Sequence, residues 1–269
     1  MISTKVTAHT IATGAPGGPL LVFAHGLEDV WASWQPLAAE LAAELDPSWR
    51  LVALDLPWRA GNDYRWRTRQ PGQWLADGLD LVGRVPDALV AHSFGANAAL
   101  ELMCALDPRP GRAAALICPF YRLPRHRVTW RMFDRSMATF VEHIREGLLA
   151  RLGSRAGSME PEVLETMMKL AQDRVGPLGF LTVFQQFVAS ADLPLDRVEQ
   201  PTLVLAGGAD PTLSREAALA LGDGMPGARA LIRDDYDHFC HLRHARGVAA
   251  LVAGLVDAVS APTGTGEQR

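Results

Sequence analysis

The chain has 269 residues, 48% hydrophobic and 21% charged, proportions of a globular protein that buries a sizeable core, which excludes a disordered or fibrous chain. A net charge of −4, from 26 basic and 30 acidic residues, gives no global reason to expect nucleic acid or an anionic membrane surface as partner. Cys104, Cys118 and Cys240 lack CxxC spacing and write neither a disulfide framework nor a zinc site. Residues 1–14 lack the apolar stretch of a secretion signal, and no segment reaches the roughly 18 apolar residues of a spanning helix. The expectation is a cytoplasmic protein with no metal, cofactor, nucleic acid or membrane to bind.

In chain order, residues 6–11 suggest an edge strand, and short apolar runs at 20–24, 51–54, 88–91, 113–118, 202–206 and 228–232 read as strands. Between them, 34–45, 95–106, 215–221 and 244–259 carry helical spacing. Such alternation predicts βαβ units and a parallel sheet buried on both faces. From 119 to 195 no strand pattern occurs. That interval reads as inserted helices at 130–152, 161–174 and 178–189, broken by glycines at 153–157 and 176–179. The fold class expected is therefore α/β: a mostly parallel central sheet flanked by helices (1–118 and 196–259), an all-helical insertion (119–195), and a disordered Gly/Thr/Pro-rich tail (260–269).

The segment Ala91-His92-Ser93-Phe94-Gly95 follows a strand candidate and opens a helix. A sharp strand-to-helix turn would project the Ser93 hydroxyl, needs small residues two positions either side, and aims the positive helix end at charge developing beside it. A serine in such a turn also serves simply as a turn or N-cap residue. At these residues the chain resembles the α/β-hydrolase family, whose usual pattern is GxSxG; Ala91 departs from it at the first glycine.

The resemblance covers nearly the whole chain. His25-Gly26-Leu27 ends the first long strand candidate as the family's HG motif does, and it implies that the Leu27 and Phe94 amides are oxyanion donors. Gly207-Gly208-Ala209-Asp210 resembles the bend that delivers the family's acid, and Tyr236-Asp237-His238-Phe239 the segment carrying its base. The order Ser93, Asp210, His238 is the family's order. Asp210 could instead cap the helix after Pro211. The family's other acid position, after 113–118, holds Pro119, Phe120 and Tyr121, none of them a carboxylate. Asp234, Asp235 and Asp237 read as a solvated loop. The spacing of His238, His241 and His244 allows a zinc reading, but no HExxH accompanies it. His92 reads as packing in the elbow.

Six of the seven tryptophans lie between residues 31 and 74. Candidate pocket residues are His25, Trp31, Trp58, Trp130 and Phe239, although loop packing competes for Trp58. Arg59, Arg65, Arg67 and Arg69, with Arg122, Arg125, Arg127, Arg131 and Arg135, form two basic stretches that would suit an anionic substrate or an acidic carrier protein, against the plainer reading of a solvated face. The insertion resembles the family's lid, with Met132, Phe133, Met137, Phe140, Phe180, Phe184 and Phe187 as a possible underside or its internal packing. The resemblance implies a serine hydrolase that cleaves an ester or thioester with a bulky apolar acyl part through an acyl-serine, the substrate being free or carrier-bound. A serine here excludes the family's haloalkane-dehalogenase and epoxide-hydrolase branches, which need aspartate. Acyl transfer, cyclisation, carbon–carbon cleavage or lyase chemistry, and a ligand-binding protein on the same scaffold, are the rival readings.

Overall fold

The computed structural model describes residues 5–62, 64–105 and 110–260. The strands are β1 (Thr7–Ala12), β2 (Leu20–Ala24), β3 (Arg50–Asp55), β4 (Ala88–His92), β5 (Ala113–Ile117), β6 (Thr202–Gly207) and β7 (Ala228–Arg233). They form one sheet in the order β1-β3-β2-β4-β5-β6-β7. All neighbours are parallel except β1, which pairs antiparallel with β3 at the edge. Every residue of β2, β4, β5 and β6 is buried, because helices cover both faces and the period-2 alternation sends adjacent side chains into different layers. Leu20, Val22 and Ala24 join one core cluster and Leu21 and Phe23 the other.

The helices are α1 (Gln35–Glu44), α2 (Pro71–Val82), α3 (Phe94–Cys104), α4 (Trp130–Leu152), α5 (Pro161–Ala189), α6 (Arg215–Asp223), α7 (Cys240–Arg243) and α8 (Ala245–Ser260). Helix α2 is absent from the sequence reading although its punctuation is present. Gln70 and Gln73 form a capping box, Pro71 stands in the first turn, and Gly83 ends the helix at φ 82°. The two helices expected at 161–174 and 178–189 form one run, α5, with a kink at Gly176 (φ 58°, ψ −171°) beside Pro177. Leu106 and residues 261–269 of the expected tail lie outside the described residues.

Helices α4 and α5 lie between β5 and β6 in the chain. The chain leaves the sheet at Cys118 with φ 47° and is pinned at once: Asn97 of α3 donates to the Phe120 carbonyl at 2.7 Å, and the Phe120 amide donates to the Asn97 side chain at 2.9 Å. Far along α4, Glu146 pairs with Arg243 of α7 at 2.8 Å. No helix among the described residues is long and apolar enough to cross a membrane.

Candidate active site

Ser93 sits between β4 and α3 at φ 52°, ψ −120°, a backbone region that costs a non-glycine residue about 1–3 kcal/mol and persists only where its surroundings enforce it. Enforcement is visible on each side. The Ser93 amide donates to Ile117 of β5 at 2.9 Å, and its carbonyl accepts the first α3 bond from Asn97 at 3.0 Å. Gly95 is obligatory: a Cβ there would lie 2.4 Å from the His25 carbonyl oxygen and 2.7 Å from that of Ala24. The small residue expected two positions beyond the serine is thus demanded by the neighbouring strand end.

The hydroxyl of Ser93 donates to His238 Nε2 at 2.9 Å, and His238 Nδ1 donates to Asp210 Oδ2 at 2.8 Å. Asp210 follows the bend after β6, and this bend touches the loop carrying His238. A Cβ on Gly207 would meet the Tyr236 carbonyl oxygen at 2.2 Å, and the Ala209 amide donates to that same oxygen at 3.0 Å. The second Asp210 oxygen accepts from the Thr212 amide at 2.8 Å and from the Thr212 hydroxyl. Burial opposes a charge on Asp210, yet His238 and His143 beside it hold its carboxyl well below the ordinary carboxylate range. Asp210 is thus an anion at neutral pH, held against the His238 ring.

Sequence reasoning missed His143. It comes from α4, stacks on the His238 ring at 4.2 Å and places Nε2 3.5 Å from Asp210 Oδ1 and 3.4 Å from the Thr212 hydroxyl. Burial and the neighbouring His238 lower its pKa, which favours the neutral ring. Thr212 was also missed, although Asp-x-Thr is a readable side-chain-to-backbone turn.

The five pocket candidates divide. Phe239 lines a cavity of about 590 Å³ over Ser93. His25 does not; it is buried, donates from Nδ1 to the Gly26 carbonyl at 2.7 Å and accepts the Leu56 amide on Nε2 at 2.9 Å, so it braces the loop after β2. Trp58 is fully buried edge-on to Phe94 and His25, since the core beneath the loop after β3 has room for an indole. Trp31 stacks on His9 of the edge strand at 4.4 Å, outside the cavity. Trp130 is 82% exposed at the start of α4, where it touches Phe133.

The cavity is apolar along α4 and α5, through Phe140, Ile144, Leu148, Met167 and Leu170, and charged at one end, where Glu28, Arg59, Arg151 and Arg174 line it. Glu28 has φ 59° and accepts from the Ala60 amide and the Tyr64 hydroxyl; burial raises its pKa. Of the arginine stretches, Arg69 pairs with Asp77, Arg122 with Asp192 and Arg125 with Glu216.

His238, His241 and His244 do not converge. His238 serves Ser93, His244 stacks on Tyr236 at 4.6 Å, and His241 is buried between Trp34 and His92. Behind the serine, His92 donates from Nε2 to the His238 carbonyl at 2.8 Å, while His92 Nδ1 and both His241 nitrogens have no partner among the described residues. Ligand atoms of Asp29, His92 and His241 lie within 4.8 Å of one another, as do those of Cys118, Asp210 and His238, so each group could hold a cation by distance. The second is already engaged with Ser93. Burial lowers the pKa of His241 to about 4 and that of His92 well below the ordinary imidazole value.

The sequence model described as the alpha/beta hydrolase family matches residues 21–251. Epoxide hydrolase 1 of Caenorhabditis elegans is 25% identical over 252 residues, covering 80% of this chain; the chain spans 59% of that relative's length. Among solved structures, Est816, described as an N-acyl homoserine lactone degrading enzyme, superposes with a TM-score of 0.66 at 18% identity, covering 93% of this chain and 96% of its own. The enol-lactonase from Burkholderia xenovorans LB400 gives 0.61 at 17% identity, covering 94% and 96%. At such identities these two likenesses carry the fold alone.

Proposed function

Because the chain belongs to the alpha/beta hydrolase family, we propose that it is a serine hydrolase that cleaves an ester or thioester with a bulky apolar acyl part. The observation that carries this reading is the unbroken chain from the Ser93 hydroxyl through His238 to the buried Asp210, at 2.9 and 2.8 Å, on a half-buried serine that opens into the cavity.

Chemistry follows from the atoms. His238 Nε2 takes the Ser93 proton as Oγ attacks the acyl carbon, and Asp210 holds the ring in the tautomer that leaves Nε2 free and stabilises the imidazolium that forms. The bond from the acyl carbon to the leaving oxygen or sulfur breaks, and His238 hands that atom its proton. Water then attacks the acyl-serine by the reverse proton path and releases the acid. The amides of Leu27 and Phe94 are the oxyanion donors. Phe94 is the first residue of α3, whose amide has no intrahelical acceptor, and among the described residues no backbone bond engages the Leu27 amide. Each contributes about 3 kcal/mol to transition-state stabilisation in comparable sites.

The same atoms weigh against transferring the activity of the epoxide hydrolase relative. A serine oxygen that opened an epoxide would be left as an ether, and ethers are not released by the water step above. An acyl carbon, by contrast, gives this nucleophile a second half-reaction. The helices of residues 119–195 form the cap of the site: α4 and α5 supply most of the apolar wall. Such a cover excludes water and sets the shape of the acyl group accepted.

Intact-protein mass spectrometry after a fluorophosphonate tests the reading. A single adduct on wild type, absent from Ser93→Ala and His238→Ala, is expected; a folded wild type that stays unlabelled while hydrolysing no p-nitrophenyl ester overturns it.

A further inference from the structure

A second cavity, of about 470 Å³, lies between α4 and α5 beside the one over Ser93. The two share Phe120, Phe140, His143, Val183 and Thr212, so this common wall is all that separates the second cavity from the nucleophile's own. Its chemistry changes along α4: Arg131 and Arg135 line it near the helix start, Ser136 and Thr139 follow, and Phe140 and His143 close it toward Ser93. The α5 side is apolar throughout, with Phe180, Phe184 and Phe187.

Arg131 and Arg135 stand one turn apart on one face of α4, are exposed, and have no carboxylate partner among the described residues, whereas Arg122 and Arg125 just before them are both paired. At the rise of an α-helix their backbone lies about 12 to 18 Å from His143, the residue that touches the catalytic histidine.

We propose that this cavity is a second substrate compartment, which takes a medium-length acyl chain ending in a carboxylate. The scissile carbonyl sits at Ser93, the chain passes His143 and lies against the phenylalanines, and the terminal carboxylate is held by Arg131 and Arg135. The proposal rests on the serine-hydrolase reading and deepens it. An apolar wall alone would take any fatty chain, and a free guanidinium pair alone any anion. Their combination in one cavity, with the arginines near the start of α4 and the shared wall at the Ser93 end, selects a chain by length and by its end group, because a guanidinium binds a carboxylate in a planar, two-bond arrangement that a methyl end cannot supply. Of the shared wall, His143 is the residue the chain would displace, and its polar contacts, at 3.4 and 3.5 Å, are long ones.

The test compares p-nitrophenyl acetate, p-nitrophenyl decanoate and the p-nitrophenyl monoester of decanedioic acid on wild type, on the Arg131→Gln/Arg135→Gln double variant, and on Ser136→Phe, which fills the cavity. Calorimetric binding of decanedioate and decanoate to Ser93→Ala, with and without the arginine pair, provides a readout independent of turnover. Wild type is expected to favour the carboxylated ester over the decanoyl ester about tenfold in kcat/KM, and the double variant to bring that ratio to about one, the scale of a charge-assisted hydrogen bond. Ser136→Phe is expected to lower both long esters relative to the acetate about tenfold. If the ratios are the same in all three proteins while the esters are hydrolysed, the compartment is refuted and the serine-hydrolase reading survives. If no ester is hydrolysed but Ser93→Ala binds decanedioate more tightly than decanoate, and only with the arginine pair intact, the compartment stands and the hydrolase reading falls. Equal binding of the two acids overturns the proposal whatever the kinetics.

Discussion

Helices α3 and α4 border the same serine and are built on opposite terms. Ten of the eleven residues of α3 are buried, whereas of the 23 in α4 Gly147 is the buried one. The α3 side is fixed by backbone contacts that admit no additional methyl group, as at Gly95; the α4 side reaches the site through long side chains over a thin apolar seam. Local stability follows buried contacts, so the region holding Ser93 is expected to open with the whole fold and α4 at lower free energy. Precision and adaptability are thus assigned to different halves of one site.

The largest effects break the comparison on its rigid side. Ser93→Ala should lower kcat/KM for p-nitrophenyl acetate by about a millionfold, and Asp210→Asn, which keeps the shape but permits the wrong histidine tautomer, by about ten-thousandfold. Steady-state kinetics checks both, with circular dichroism showing retained fold. Gly95→Ala drives a methyl into two backbone oxygens of the β2 end, and should destabilise by about 3 kcal/mol or more in urea unfolding.

Acid should act on the same side. His241 and His92 are buried neutral with lowered pKa values, so below the ordinary imidazole value the unfolded chain binds protons that the folded chain refuses. Stability is full above about pH 6.5 and falls as pH drops from there toward 4, by up to about 3 kcal/mol for His241 alone. Melting temperatures measured across that window should fall steeply in wild type and less steeply in His241→Phe; parallel curves would remove His241 as the cause.

The smallest effect sharpens the comparison on the adaptable side. His143→Phe keeps a ring stacked on His238 but removes the nitrogen beside Asp210 and Thr212, and should cost about tenfold in kcat/KM with little change in melting temperature. A drop in stability matching the drop in rate would mark His143 as packing only.

What the sequence disclosed divides along the same line. The sheet was legible because burial on both faces makes each strand a continuous apolar run; Ser93 and Asp210 were legible because each stands at a turn beside its own glycine, and His238 by its place after them in the chain order. His143 was not. It meets His238 only through the packing of a long helix against the core, and nothing within its own segment marks that face. Trp58 and Trp31 misled for a related reason: an indole near a rim and an indole beneath a loop have the same local pattern, and only the third dimension separates them. Helix α2 was not legible either, although Gln70, Pro71, Gln73 and Gly83 spell both its ends, because Gly72 and Gly78 within it weaken its helical propensity.

The kink at Gly176 divides α5 into two segments with separate duties. Met167, Leu170 and Arg174 before it face the chamber over Ser93, while Phe180, Phe184 and Phe187 after it face the neighbouring one. A straight helix would tie both sets to one rotational phase, so that any change tuning one chamber would turn residues in the other. With the phase reset at a single glycine, the two stretches can diverge independently, and the linings of the two chambers become two separable traits in evolution and in the laboratory.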